Sequence, residues 1–130
     1  MAGIERWTST VATAPEPCLV IDVTTRILAV SESCSELLGL GLPVEALGQP
    51  LLGGVLRLID FTAQGGELAE VEIDKIPPLL AIRSERLARG LMRVQPAIGS
   101  QALTVDAITT PLTLDDKVVA SLTFFSAIRY

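Results

Sequence analysis

The stretch Leu91–Ile128, LMRVQPAIGSQALTVDAITTPLTLDDKVVASLTFFSAI, decides the fold. It reads as three consecutive strands with tight turns between them. The first is Leu91–Ile98, followed by Gly99-Ser100; the second is Leu103–Leu114, followed by Asp115-Asp116; the third is Val118–Ile128. In the third, Val118, Ala120, Leu122, Phe124 and Ile128 share one face by period-2 alternation, and Val119 and Phe125 point the other way. An antiparallel meander without a catalytic constellation points to sensing or interaction rather than catalysis.

The chain has 130 residues, which sets one domain as the expectation and allows a real core without disulfides or metal. Its net charge of -5 and the lack of any Lys or Arg run argue against nucleic acid. It has no histidine, which removes His-based acid/base work, Ser-His and Cys-His pairs, His-ligated haem and His-containing zinc sites. Its two cysteines, Cys18 and Cys34, are too few for a disulfide framework or a structural zinc site, and their apolar neighbours predict buried free thiols rather than a redox pair. An enzyme here would have to use Asp22, Asp60, the acidic stretch near Glu70 or a cysteine, and no carboxylate pair has clear geometry. The start MAGIERW is not a signal peptide, and no apolar run approaches the about 20 residues of a membrane span, so a soluble cytoplasmic protein is expected.

Working towards the N-terminus, Pro77-Pro78 opens a helix expected to run through Arg89 and stop at Gly90. Arg83, Arg86 and Arg89 line one side of it, as an anion site or simply as a polar face. Glu67, Glu70, Glu72 and Asp74 alternate with Leu68, Val71 and Ile73, as a cation site or, more commonly for such a run, a solvated face. Leu56–Ile59 reads as helical. A short helix begins at Pro43 and ends at Gly48. Another is capped by Ser31 or Ser33, with Glu36 at capping-box spacing from Ser33, and stops at Gly39. Cys18–Val23 and Ile27–Val30 form a hairpin turning at Thr24-Thr25-Arg26. Residues 1–16 read as an arm ahead of the domain at 17–130. Ile4, Trp7 and Val11 give the arm a helical apolar stripe that suits a dimer contact, a lid on the sheet or a frayed end. The order implies an α+β fold with a five-stranded antiparallel sheet and short helices between strands two and three.

From Pro15 to about Ile128 the sequence resembles a PAS domain. The likeness lies in Cys18-Leu-Val-Ile-Asp22, Arg26-Ile-Leu-Ala-Val30, Ser35-Glu-Leu-Leu-Gly39, Pro43-Val-Glu-Ala-Leu-Gly48, Asp106-Ala-Ile-Thr-Thr-Pro111-Leu112 and Lys117-Val-Val-Ala-Ser-Leu122. There are departures. Cys34 sits in Glu-Ser-Cys-Ser on an early helix, not in the Asn-Cys-Arg-type motif of flavin-adduct members, and no axial His is present for haem. Ser31 stands where many members have Asn. No Asp-Ile-Thr signature or coiled-coil linker closes the last strand. Either the protein acts alone on a partner or it is a piece of a longer chain; Met1 favours a free-standing protein.

The resemblance implies a non-enzymatic sensory module without haem or flavin-adduct chemistry. Facing the helices, the sheet would enclose a cavity lined by Val30, Leu37, Leu56, Ile59, Leu80, Leu87, Met92, Leu122 and Phe124. That space suits a small apolar ligand or is filled as a core. The polar groups in reach are Thr104, Thr109 and Ser121. Val119 and Phe125 would make the second face apolar too, and a homodimer through that face and Ile4, Trp7 and Val11 is expected. A downstream signalling protein is the other expected partner.

Overall fold

The computed structural model of the protein describes residues 2–52, 56–62, 64–96 and 101–128. Local chemistry fixes the two-residue turn that anchors the sheet. Asp115 (φ 52°) and Asp116 (φ 64°) both adopt the left-handed conformation, which the tightest hairpins require and Asp tolerates. They join β5 (Leu103–Leu114) to β6 (Lys117–Ala127). β4 (Ala88–Val94) lies on the other side of β5. The expected meander is therefore present; Ala97, Ile98 and the Gly99-Ser100 turn lie outside the described residues. Pro111 sits where β5 runs past the end of β4, so its missing N–H costs no ladder bond there.

β1 (Cys18–Asp22) and β2 (Ile27–Val30) form the N-terminal hairpin. Asp22 closes its turn: Oδ1 accepts from the Thr24 N–H at 2.9 Å, the Thr24 hydroxyl at 2.7 Å and the Arg26 N–H at 3.0 Å. β1 pairs with β6 and joins the two hairpins into one antiparallel sheet. With β3 (Leu58–Ile59) added beside β4, the order is β2-β1-β6-β5-β4-β3. The sheet thus has six strands where five were expected. Leu56–Ile59 had read as helical; Leu58 and Ile59 instead pair with Val94 and Arg93.

The helices pack on both faces. α1 (Ala2–Thr13) lies on the outer face; α2 (Glu32–Leu38), α3 (Pro43–Ala46), α4 (Glu70–Ile73) and α5 (Pro77–Ser84) belong to the other side. Ser31 caps α2: its hydroxyl accepts from the Cys34 N–H at 3.2 Å. The Ser33 hydroxyl donates to the Pro15 carbonyl instead of capping. Gly39 ends α2 at φ 71°.

The expected boundary between the last helix and the meander shifts. α5 ends at Ser84 with Glu85 left-handed at φ 58°, not at Gly90. Gly90 is inside β4, where an added Cβ would lie 3.5 Å from Pro77 Cγ. The arginine spacing imitated a helix face, but from residue 87 on the period is two. Ala88, Met92 and Val94 are buried, while Leu87, Arg89 and Leu91 are exposed. The arginines diverge: Arg83 pairs with Asp74 at 2.9 Å and Arg89 with Asp106 at 2.7 Å.

Two apolar layers hold the sheet. The inner layer includes Leu19, Ile21, Val30, Leu38, Met92, Val94, Val105 and Phe125. The outer layer joins Val11 of α1 to Cys18, Val20, Ala29, Leu112, Ala120 and Leu122.

Candidate functional site

The inner layer leaves its opening at one edge. β3, the segment leading into it and α4 frame a recess of about 400 Å³. Leu52, Leu56, Leu58, Ile59, Leu68 and Ile73 line it, and Arg57 and Glu67 add the polar groups. The walls follow from the backbone. Leu58 is held by its pairing with Val94 and Ile59 by its pairing with Arg93. The Gln95 N–H donates to the Arg57 carbonyl at 3.0 Å, and the Leu68 N–H donates to the Leu58 carbonyl at 3.2 Å. Aliphatic walls with one cationic and one anionic group suit a small, mostly apolar molecule.

Of the residues expected to line a cavity, Leu56 and Ile59 do so. Val30 and Met92 are buried in the inner layer, with Leu37 packed against it. The other four do not meet there. Leu80 and Leu87 are 39% and 63% exposed, since α5 stops before Leu87 and turns Leu80 outward. Leu122 belongs to the outer layer under α1. Phe124 is 44% exposed on the outer face, whereas Phe125 is 4% exposed in the inner layer. The alternation of β6 was legible, but its two faces are inverted. Facing inward with Phe125 are Ser121 and Thr123, made compatible with burial by hydrogen bonds. The Ser121 hydroxyl donates to the Pro78 carbonyl at 2.9 Å and ties β6 to α5. The Thr109 and Thr123 hydroxyls bond to each other at 2.8 Å. Thr109 and Ser121 are thereby spent on the fold rather than turned to a ligand. Thr104 is half-buried, and its carbonyl accepts from the Ile128 N–H.

On the outer face, Val11 is buried and Ile4, Ala14 and Val119 pack around it, while Trp7 stays exposed at the rim. Val119 sits at a bulge in the β5–β6 ladder. Phe125, expected on this face, is not there. α1 lies over β1 and β2 and leaves Leu91, Ile108 and Phe124 uncovered around the Arg89–Asp106 ion pair. Hydrogen bonding to Arg89 holds the Asp106 carboxyl below the usual carboxylate range.

The cysteines are set apart from both places. Burial pushes the Cys18 thiol up. It pushes Cys34 up much further, with nearby Cys18 adding to the effect. The Ser31 hydroxyl accepts from the Cys18 N–H at 3.0 Å and donates to the Glu16 carbonyl at 2.8 Å, so one side chain fastens the arm, β1 and α2. No group of metal-ligating side chains occurs among the described residues. Among them, no helix is long and apolar enough to cross a membrane.

No protein-family model matches the sequence, and no curated protein matches it. Solved structures do match. A PAS domain from Colwellia psychrerythraea superposes with a TM-score of 0.66 at 15% identity, over 96% of this chain and 96% of that one. The PAS domain of BvgS from Bordetella pertussis gives 0.62 at 12% identity, over 98% of this chain and 86% of that one. The VqmA dimer of Vibrio cholerae gives 0.65 at 14% identity, over 97% of this chain but 51% of that one, so the chain spans about half the length of VqmA. The α+β architecture is that of a PAS domain.

Proposed function

We propose that this chain is a non-enzymatic cytoplasmic sensory module, a homodimer that takes a small apolar ligand in the recess beside β3 and passes the change to a signalling partner. The observation that carries this reading is the leucine-lined recess at the edge of a PAS-type sheet whose far face is still apolar. The ladder offers a route between them: Leu58 pairs with Val94, β4 with β5, and β5 with β6, which bears Phe124. A ligand that orders β3 stabilises that ladder, and a change in strand twist alters the surface at Ile108 and Phe124. The solved relatives give analogy: VqmA was captured as a dimer and bound to DPO. The reading calls for neither haem nor a flavin adduct, because the sequence has no histidine and Cys34 is buried in the first turn of α2. The net charge of -5 argues against nucleic acid as the partner.

A second reading has its own support. The inner layer is packed with side chains and the recess is open rather than enclosed, which suits a ligand-free interaction domain with a filled core. Thermal unfolding against a panel of small apolar metabolites and fatty acids separates the two, since a ligand stabilises by mass action. A concentration-dependent rise in Tm that Leu68→Trp abolishes supports the sensor; no stabiliser, and no co-purified compound in native mass spectrometry, supports the interaction domain. Light scattering tests the dimer. The chain is expected to be dimeric at micromolar concentration, and Phe124→Asp is expected to give a monomer with nearly unchanged Tm. A monomeric parent protein rules the dimer out.

A further inference from the structure

Among the described residues, a stretch of main chain on β4 is left without a partner on its β3 side. β4 pairs with β5 along all of Ala88–Val94, but with β3 only at Arg93 and Val94. Hydrogen bonds on either side fix which residues face the free edge. The Gln95 N–H donates to Arg57 at 3.0 Å across the β3 side, so alternation turns the N–H and C=O of Arg93, Leu91 and Arg89 the same way. The Ile128 N–H on the Thr104 carbonyl, at 2.9 Å, agrees: it turns Thr104 toward β6 and so Val105, opposite Met92, toward β4. Ile59 lies opposite Arg93. Beyond it the chain departs, because Asp60 Oδ1 accepts from the Thr62 N–H at 3.0 Å and Arg93 Nη1 donates to the Asp60 and Thr62 carbonyls at 3.0 and 2.7 Å. Among the described residues, nothing bonds the N–H and C=O groups of Arg89 and Leu91.

Folded proteins usually guard such an edge with Lys, Pro or a bulge. Here Leu87 and Leu91 flank it, both exposed, and β4 runs against β5 without a bulge. The Arg89 guanidinium is drawn away onto Asp106. Beside Leu91 and Met92 a recess of about 130 Å³ opens between Phe61 and Ile76, near the size of one large apolar side chain. At the start of the edge Arg86 is exposed, with no ion pair among the described residues.

We propose that the edge of β4 at Arg89–Leu91 receives an extended peptide segment of a partner protein as an added strand. Its backbone bonds Arg89 and Leu91, one apolar side chain enters the recess by Phe61 and Ile76, and an acidic side chain meets Arg86. Main-chain pairing supplies affinity, and the recess and Arg86 supply specificity, as in other strand-addition sites. A second copy of the chain fits less well: antiparallel β4–β4 pairing about Gly90 sets the incoming Leu87 opposite Arg93, where Ile59 already lies. The recess by Phe61 and Ile76 shares Leu58, Ile59 and Leu68 with the β3 recess, and Leu91 borders the Phe124 surface. Strand addition needs neither a bound small molecule nor a dimer, however, so main-chain protection at Arg89 and Leu91 tests it apart from the sensory reading.

The test is panning of the full chain against a phage-displayed library of random dodecapeptides, counter-selected on Leu91→Pro. That substitution removes an edge-facing N–H together with the Leu91 side chain beside the recess, and circular dichroism checks that it folds. Enriched synthetic peptides are expected to alternate apolar residues, to carry Asp or Glu, and to slow amide exchange at Arg89 and Leu91, with Gly90 and Met92 slow throughout. N-methylation at alternate peptide residues should weaken binding about tenfold or more, and at the intervening residues much less. This comparison on the unaltered protein holds even if Leu91→Pro unfolds. No enriched family, uniform sensitivity to N-methylation, or Arg89 and Leu91 amides already protected without peptide (as pairing with a second copy would give) would overturn the proposal.

Discussion

Two glycines with nearly the same backbone angle separate conformational strain from lack of room. Gly39 has φ 71° and Gly48 φ 79°. A Cβ on Gly39 would fall on the Pro96 carbonyl, whereas nothing lies within 4 Å of one on Gly48. Gly48→Ala is expected to cost about 1 kcal/mol, the left-handed penalty alone. Gly39→Ala should cost about 3 kcal/mol or more, because backbone has to move. Urea midpoints of the two variants check the difference. The cysteines give a second residue-scale expectation. Both thiols are buried and their pKa values are raised by desolvation, so native protein near pH 8 should resist a thiol reagent such as DTNB, and denaturant should release both. Fast labelling of either thiol in the native state would contradict the packing at Ser31.

At the scale of elements, the hairpins were legible and the face of the last strand was not. Val20, Leu122 and Ile108 betray strands by alternation, and Asp115-Asp116 marks a turn by its chemistry. Nothing in β6 alone says which row faces inward: one row is Ala120, Leu122, Phe124 and the other Ser121, Thr123, Phe125. The greasier row looks like the core row. It lies on the outer face because α1 supplies a second apolar cover there, and the inner row is tolerated because the Ser121 hydroxyl donates to the Pro78 carbonyl and the Thr123 and Thr109 hydroxyls bond to each other. Those partners lie on α5 and β5, and single-strand periodicity does not see them. Most of the β3 recess escaped for a similar reason: of its apolar lining only Leu56 and Ile59 were expected, and Leu58 and Leu68 acquire their places through pairing. Alanine substitution checks the inversion: Phe125→Ala should cost about 3–5 kcal/mol, and Phe124→Ala in the monomer less than about 1 kcal/mol. Equal costs would say the strand faces are wrongly set.

At the scale of the whole molecule, the titrating groups shape stability against pH. Partial burial pushes the Asp22 carboxyl up, but the Thr24 and Arg26 hydrogen bonds outweigh it and leave the pKa lowered. The Thr62 hydrogen bonds lower Asp60, and Arg89 lowers Asp106. A lowered carboxylate stabilises above its unfolded pKa, so this contribution fades as pH falls below about 4. The raised thiols act at the other end: their stabilising share is complete below the unfolded pKa and is lost as pH rises above about 8.5. With no histidine in the chain, urea midpoints should be flat from about pH 5 to 8. A step near pH 6.5 would not fit. The strand order carries one more consequence, for synthesis. Of the six strands of this sheet β6 is made last, yet it lies between β1 and β5. Until it emerges from the ribosome, the N-terminal hairpin and the β4–β5 pair are two unjoined pieces, each with an open side. A nascent chain stalled before Lys117 should therefore be protease-sensitive throughout, and resistance should arrive late and all at once.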